Sequence, residues 1–108
     1  MIEYLFIESR SALETAEVAL STETAAGLAR QGHPVTVFLV QNGVLPARRG
    51  ASTDAFETAR QAGVRILADD FSLRERGIGM DELTRGFASS PLETVVDSLA
   101  AGAKTLWH

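Results

Sequence analysis

Apolar residues come in short bursts, separated by longer stretches in which they recur every third or fourth position, and the two rhythms alternate along the chain. The opening segment IEYLFIE, Ile2 to Glu8, is almost continuously apolar at its centre, as a strand covered on both faces requires. LETAEVALSTETAAGLARQ, Leu13 to Gln31, sets Ala16, Leu20, Ala25, Leu28 and Ala29 near helical spacing and predicts a helix closed by Gly32. A second buried strand, Val35 to Val40, follows Pro34 and ends in a turn at Asn42-Gly43. After a loop from Pro46 to Ala51, STDAFETARQAG predicts a short helix capped by Ser52 or Thr53 and ended by Gly63. Val64 to Ala68 make a third strand, which Asp69 and Asp70 stop.

The second half is less regular. SLRERGIG reads as a helical turn broken by Gly77 and Gly79, with another turn over Met80 to Arg85. GFASS, Gly86 to Ser90, is a weak fourth strand. Ser90 and Pro91 open a last helix with Glu93 in its first turn, and Leu92, Val95, Val96 and Leu99 are its expected apolar face. Gly102 ends it, and Lys104 to Trp107 form the fifth strand. Alternating strands and helices predict an α/β three-layer sandwich around a mostly parallel five-stranded sheet, in one domain spanning residues 1 to 108.

Composition narrows the function. With 45% apolar and 22% charged residues the chain is ordinary for a globular protein, and its net charge of -4 with a single adjacent basic pair, Arg48-Arg49, disfavours nucleic acid. No run approaches the ~20 apolar residues of a membrane span, and the N-terminus lacks a basic segment and a cleavage site, so a cytoplasmic location is expected. The sequence has no cysteine, which removes thiolate nucleophiles, disulfides and Cys-bound metals from this chain.

Ligands of open parallel sheets bind beyond the carboxyl ends of the strands, where helix N-termini present free N-H groups. That rule selects Glu8 to Ser11, including Ser9; Gln41 to Gly43, including Asn42; Asp69 to Arg76; and Ser89-Ser90. The third is densest, with Asp69, Asp70, Ser72, Arg74 and Arg76. Neighbouring carboxylates could act as an acid/base or metal pair, but adjacent residues in extended chain point apart, and each is expected to cap a turn or pair with Arg74 or Arg76 instead. His33 falls at the opposite end of the sheet and His108 at the terminus, so no Ser-His-Asp arrangement is expected. ESRSALE after the first strand is no phosphate loop, which disfavours a dinucleotide enzyme. No catalytic residue, metal or cofactor is assigned.

Three stretches carry a resemblance. GHPVTVFLVQNGV, Gly32 to Val44, resembles a Gly-His/Tyr-x-Val-x-Val-Phe-Leu strand with an Asp/Asn-Gly-Val turn; AGVRILADDFSLRERGI, Ala62 to Ile78, resembles a Gly-Val-x-Val strand, a cysteine-bearing loop and an Arg-Gly-Ile/Leu ending; the first strand and its alanine-rich helix complete the match. Together they resemble the DsrE-like family, with its DsrE/DsrF, YchN and TusBCD types, from bacterial and archaeal sulfur metabolism. The resemblance implies a flavodoxin- or Rossmann-like sheet and assembly into trimers or hexamers, with exposed Phe71, Leu73 and Phe87 as candidate contacts. Sulfur-handling members carry a persulfide on a cysteine in a pattern like Ala-Cys-x-x-Cys-Leu-x-x-Arg-Gly. Here those cysteine positions are Asp69 and Ser72. The resemblance, with both thiols missing, implies a non-catalytic, homo-oligomeric member that docks partners, among them other sulfur-relay proteins. The alternative is a small-molecule or metal-dependent activity at Asp69, Ser72 and Arg76.

Overall fold

A computed structural model describes residues 2–108. Five strands, β1 (Tyr4–Glu8), β2 (Val35–Leu39), β3 (Arg65–Asp69), β4 (Phe87–Ser90) and β5 (Lys104–Trp107), form one sheet in the order β4-β3-β2-β1-β5. All four pairings are parallel, with Phe6 level with Val37 and Leu106, and Ile66 level with Phe87. The helices are α1 (Glu17–Arg30), α2 (Asp54–Gln61), α3 (Asp70–Glu75) and α4 (Glu93–Ala100). The expected α/β sandwich is what the chain adopts.

Alternation along the strands makes two cores. Phe6, Val37, Leu39, Ile66 and Phe87 face α1 and α2, meeting Val18, Ala25, Phe56 and Ala59, with Leu73 of α3 in the same cluster. Leu5, Ile7, Phe38 and Leu67 face the other way, onto Val95 of α4. Burying a Leu or Phe side chain contributes about 1.5–3 kcal/mol. Among the described residues no helix is long and apolar enough to cross a membrane.

Several expectations are corrected. Strand β1 begins at Tyr4, not Ile2. Helix α1 begins at Glu17, not Leu13, because Ser11 holds residues 13–15 in a turn: its Oγ accepts from the Leu13 amide at 3.0 Å and its carbonyl from Glu14 and Thr15. The buried face of α1 is Val18, Thr22, Ala25 and Ala26, while Leu20 is 63% exposed. Thr22 belongs inside because its hydroxyl donates to the Val18 carbonyl at 2.7 Å. Asn42-Gly43 is not a free turn but the start of a 3-10 helix, Gln41–Ala47.

Further along, Thr53 occupies the cap position of α2 without a side-chain bond. The helical turn expected over SLRERGIG is helix α3, which begins two residues earlier, at Asp70, with Asp69 and Arg76 as its caps, and the turn expected over Met80 to Arg85 shortens to a 3-10 helix, Met80–Glu82. Ser90 does not cap α4, whose cap position is Leu92; the Ser90 hydroxyl lies 2.6 Å from that of Thr94. Of the apolar face expected for α4 only Val95 is buried, and Leu92, Val96 and Leu99 are exposed. Leu73 and Phe87, expected at the surface, are core residues, with Phe87 edge-on to Phe56; only Phe71 is exposed. Both sit in periodic elements, whose inward positions the core claims.

Candidate functional site

At the carboxyl edge of the sheet, the ends of β1, β2 and β3 and helix α3 enclose an open cleft of about 520 Å³. Its polar lining includes Ser9, Asn42, Asp69, Ser72 and Arg76, and its apolar lining includes Phe71, Leu92 and Trp107. Phe71, Leu92 and Trp107 are 58%, 57% and 72% exposed and Asn42 is exposed with them, while Asp69 and Ser72 are buried, so that pair lies deep beneath a largely apolar mouth.

Asp69 ends β3 and caps α3. One of its carboxylate oxygens, Oδ2, accepts from the Ser72 amide at 3.0 Å and from the Ser72 hydroxyl at 2.7 Å. The Ser72 oxygen in turn accepts the Gln41 amide at 2.8 Å, holding Gln41 at a φ of 52°, left-handed and uncommon for a side-chain-bearing residue. The Ser72 proton is committed to Asp69 and no imidazole reaches the hydroxyl, so the pair is a helix cap and clamp, not an activated nucleophile. The Arg76 guanidinium donates through Nε and Nη2 to the Asn42 amide oxygen at 3.2 and 3.1 Å, and through Nη1 to the Ser72 carbonyl at 3.2 Å. Both acceptors, the Asn42 amide oxygen and the Ser72 carbonyl, are neutral groups.

The other candidates divide. Asp70 turns away from Asp69 and meets Arg74 at 3.9 Å; both line a separate cavity of about 210 Å³ with Met80 and Ser89. Gly43 packs on the chain below the cleft, where a Cβ would collide with the Glu8 carbonyl oxygen. Among the described residues no group of His, Asp and Glu is placed to hold a metal ion. His33 is far from this edge and half-buried: its ring sits edge-on to Tyr4 at 5.3 Å, and its Nδ1 is buried without a partner.

One cluster escaped the sequence reading. Glu8, at the end of β1, is fully buried and accepts from the Ser21 hydroxyl at 2.5 Å and from His108 Nδ1 at 2.9 Å. His108 Nε2 lies 3.3 Å from Glu17, so only a ring protonated on both nitrogens donates to both carboxylates. Burial pushes the Glu8 carboxyl above its ordinary value, with the Ser21 and His108 bonds opposing. The cluster adjoins the cleft through Ser9, whose amide and hydroxyl donate to the His108 carbonyl at 2.9 and 3.0 Å. The available signal was an acidic residue closing a buried strand; its partner lies a hundred residues away.

Two solved structures share the fold. A protein of unknown function from Methanobacterium thermoautotrophicum, MTH1491, is similar with a TM-score of 0.84 at 20% identity, each chain covered in full. The ychN protein of E. coli is similar with a TM-score of 0.84 at 18% identity, over 99% of this chain and 100% of its own. No curated protein matches the chain. A family model described as DsrE/DsrF-like matches residues 4–107, and the chain belongs to the DsrE/DsrF-like family.

Proposed function

We propose that this protein is a sulfur-relay-associated member of its family that carries no sulfur itself and serves as an oligomeric, partner-docking subunit of the cytoplasm. The observation that supports the reading is the state of Asp69 and Ser72, the positions at which the family resemblance puts the cysteines. Asp69 and Ser72 are bonded to each other there as a helix cap, with no sulfur nucleophile in the chain. A persulfide needs a thiolate, and a carboxylate or hydroxyl cannot replace it. The apolar mouth of the cleft suits contact with another protein surface.

The test has two readings. Incubation with a low-molecular-weight persulfide donor leaves the intact mass unchanged, and native mass spectrometry of the purified protein gives a trimer or hexamer. A monomer at tens of micromolar overturns the assembly role, and a stable sulfur adduct overturns the passive one.

A second reading rests on Arg76, a cation lining the cleft whose two hydrogen-bond acceptors are neutral. In it, the cleft binds a small anionic molecule through the Arg76 guanidinium and the Asn42 amide nitrogen, beside Ser72. Titration calorimetry with inorganic sulfate and phosphate, and metal analysis of the purified protein, separate it from the docking role.

A further inference from the structure

Among the described residues, strand β5 closes one side of the sheet, with β1 as its only neighbour. The amides of Lys104 and His108 donate to the Glu3 and Ile7 carbonyls at 2.9 and 2.8 Å. Strand parity therefore turns the N-H and C=O groups of Thr105 and Trp107 outward, away from β1. The strand is exposed at all four positions, and Leu106 and Trp107, which project to opposite faces, are 45% and 72% exposed. Edge strands are normally blunted by charge, proline, a bulge or a covering element; β5 has Lys104 alone. The apolar surface continues past the edge, through Leu92 beside Trp107 at the cleft, to Val96 and Leu99 on α4.

The geometry points to a second copy of this chain as the occupant: two β5 strands pair antiparallel across a two-fold axis, joining two five-stranded sheets into one. This rests on the reading of the protein as an oligomer and names the surface that builds it. To keep each face of the sheet continuous, a residue on the axis must meet its own counterpart, either Thr105 on Thr105 or Leu106 on Leu106. The Leu106 register sets Lys104 opposite His108 of the partner subunit, two groups of like sign when the ring is protonated. The Thr105 register sets Lys104 beside Leu106 of the partner subunit and gives a hydrogen-bonded Thr-Thr pair, so charge favours it.

Size agrees. At about 200 Å² for a large apolar side chain, the exposed parts of Leu92, Val96, Leu99, Leu106 and Trp107 amount to roughly 500 Å². That is most of the about 800 Å² each partner covers in a standard interface, and Thr105 and the edge backbone add to it. A two-fold contact builds a dimer, or a hexamer when combined with a three-fold one; it is absent from a simple trimer.

Because the chain has no cysteine, a single introduced thiol reports the contact. Thr105→Cys and Leu106→Cys are oxidised under dilute conditions beside Glu23→Cys, an exposed control on α1. The expected result is a disulfide-linked dimer forming at least tenfold faster at position 105 than in the control. Faster linking at 106 keeps the edge pairing and changes its register, whereas control-level linking at both positions overturns the inference. In parallel, Thr105→Pro removes an outward amide that β1 does not use, and the native mass is expected to halve. Should that variant fail to fold by circular dichroism, Leu106→Lys, which places like charges across the edge, takes its place. A wild-type oligomer whose mass neither change affects sinks the edge pairing alone, while a monomeric wild type sinks the oligomer reading as well.

Discussion

Asp69 and Ser72 form a helix cap; under the proposed correspondence of these positions with the family's thiols, sulfur reactivity should be recoverable by substitution. In Asp69→Cys, the Ser72 amide and hydroxyl that now satisfy the carboxylate would donate to a thiolate, and no acid replaces the one removed. In Ser72→Cys, the Gln41 amide favours the thiolate but the Asp69 carboxylate remains beside it and opposes. Asp69→Cys is therefore expected to take up a persulfide faster than Ser72→Cys, and both faster than a cysteine at Glu23, with intact-mass kinetics as the readout. Ser98, at first sight a natural control, is buried and unsuitable. Equal rates at all three positions would mean the cleft retains no sulfur-accepting geometry. Asp69→Cys should also lose about 1 kcal/mol of stability with its cap.

Glu8 gives a pH prediction at the same scale. Burial raises its folded carboxyl above the ordinary 4.5, so the protonated form is the one folding favours. Its contribution to stability is fully present below the unfolded value and is lost as pH rises through the folded one. Glu8→Gln keeps a neutral hydrogen-bonding group in the same volume. Denaturant midpoints should show the wild type losing ground to the variant as pH climbs from about 4.5 toward neutrality; parallel profiles would show that Glu8 does not titrate differently on folding.

At the scale of elements, the 3-10 helix Gln41–Ala47 is fixed at both faces: Ser72 holds its first amide, and Gly43 lies against the β1 backbone. Gly43→Ala must push β1 and this helix apart and is expected to cost about 1–3 kcal/mol or more by the overpacking rule. Gly27→Ala, in α1 with open space around the new Cβ, should be neutral or stabilising in the same urea titration. Strands were legible because Leu5 to Ile7, Val37 to Val40 and Ile66 to Ala68 are apolar bursts that only a doubly covered sheet accommodates. Helix starts were not, since Ser11 captures the chain before Glu17 through bonds that periodicity does not encode. Helix α3 was legible only as a helical turn starting at Ser72, because six residues are too few to establish a helical period. The cleft was located by the rule for parallel sheets, and Ser9, Asn42, Asp69, Ser72 and Arg76 do line it. Asp70 and Arg74 fell outside because the backbone turns into α3 at Asp70, and the Glu8-His108 pair was invisible because only tertiary pairing of β1 with β5 creates it.

For the whole molecule, the arrangement of charge bears on assembly. The exposed surface of β5 and α4 is largely apolar, with Lys104, Glu93 and Asp97 as its charges, so ion pairing would contribute little to the proposed pairing of copies. Raising salt from about 0.05 to 0.5 M, which shortens the screening length severalfold, should leave the native mass unchanged, while ammonium sulfate should shift any dissociation toward the assembly. Dissociation by sodium chloride alone would assign the contact to charged surfaces elsewhere.

The strand order has a consequence for how the molecule is made. Strand β1, first in the chain, lies inside the sheet, and one of its two neighbours is β5, the last strand. During folding β1, β2, β3 and β4 can assemble in turn, yet β1 keeps an open edge until residues 104–107 dock. The Glu8 to His108 bond then spans 100 residues of sequence. Closing so long a loop is slow compared with local pairing, so the closing step exposes Leu5 and Ile7 for the longest time. While that closure is pending, a nearly complete sheet carries β1 at its margin, and chaperone demand should be set by that interval and not by the stability of the finished fold.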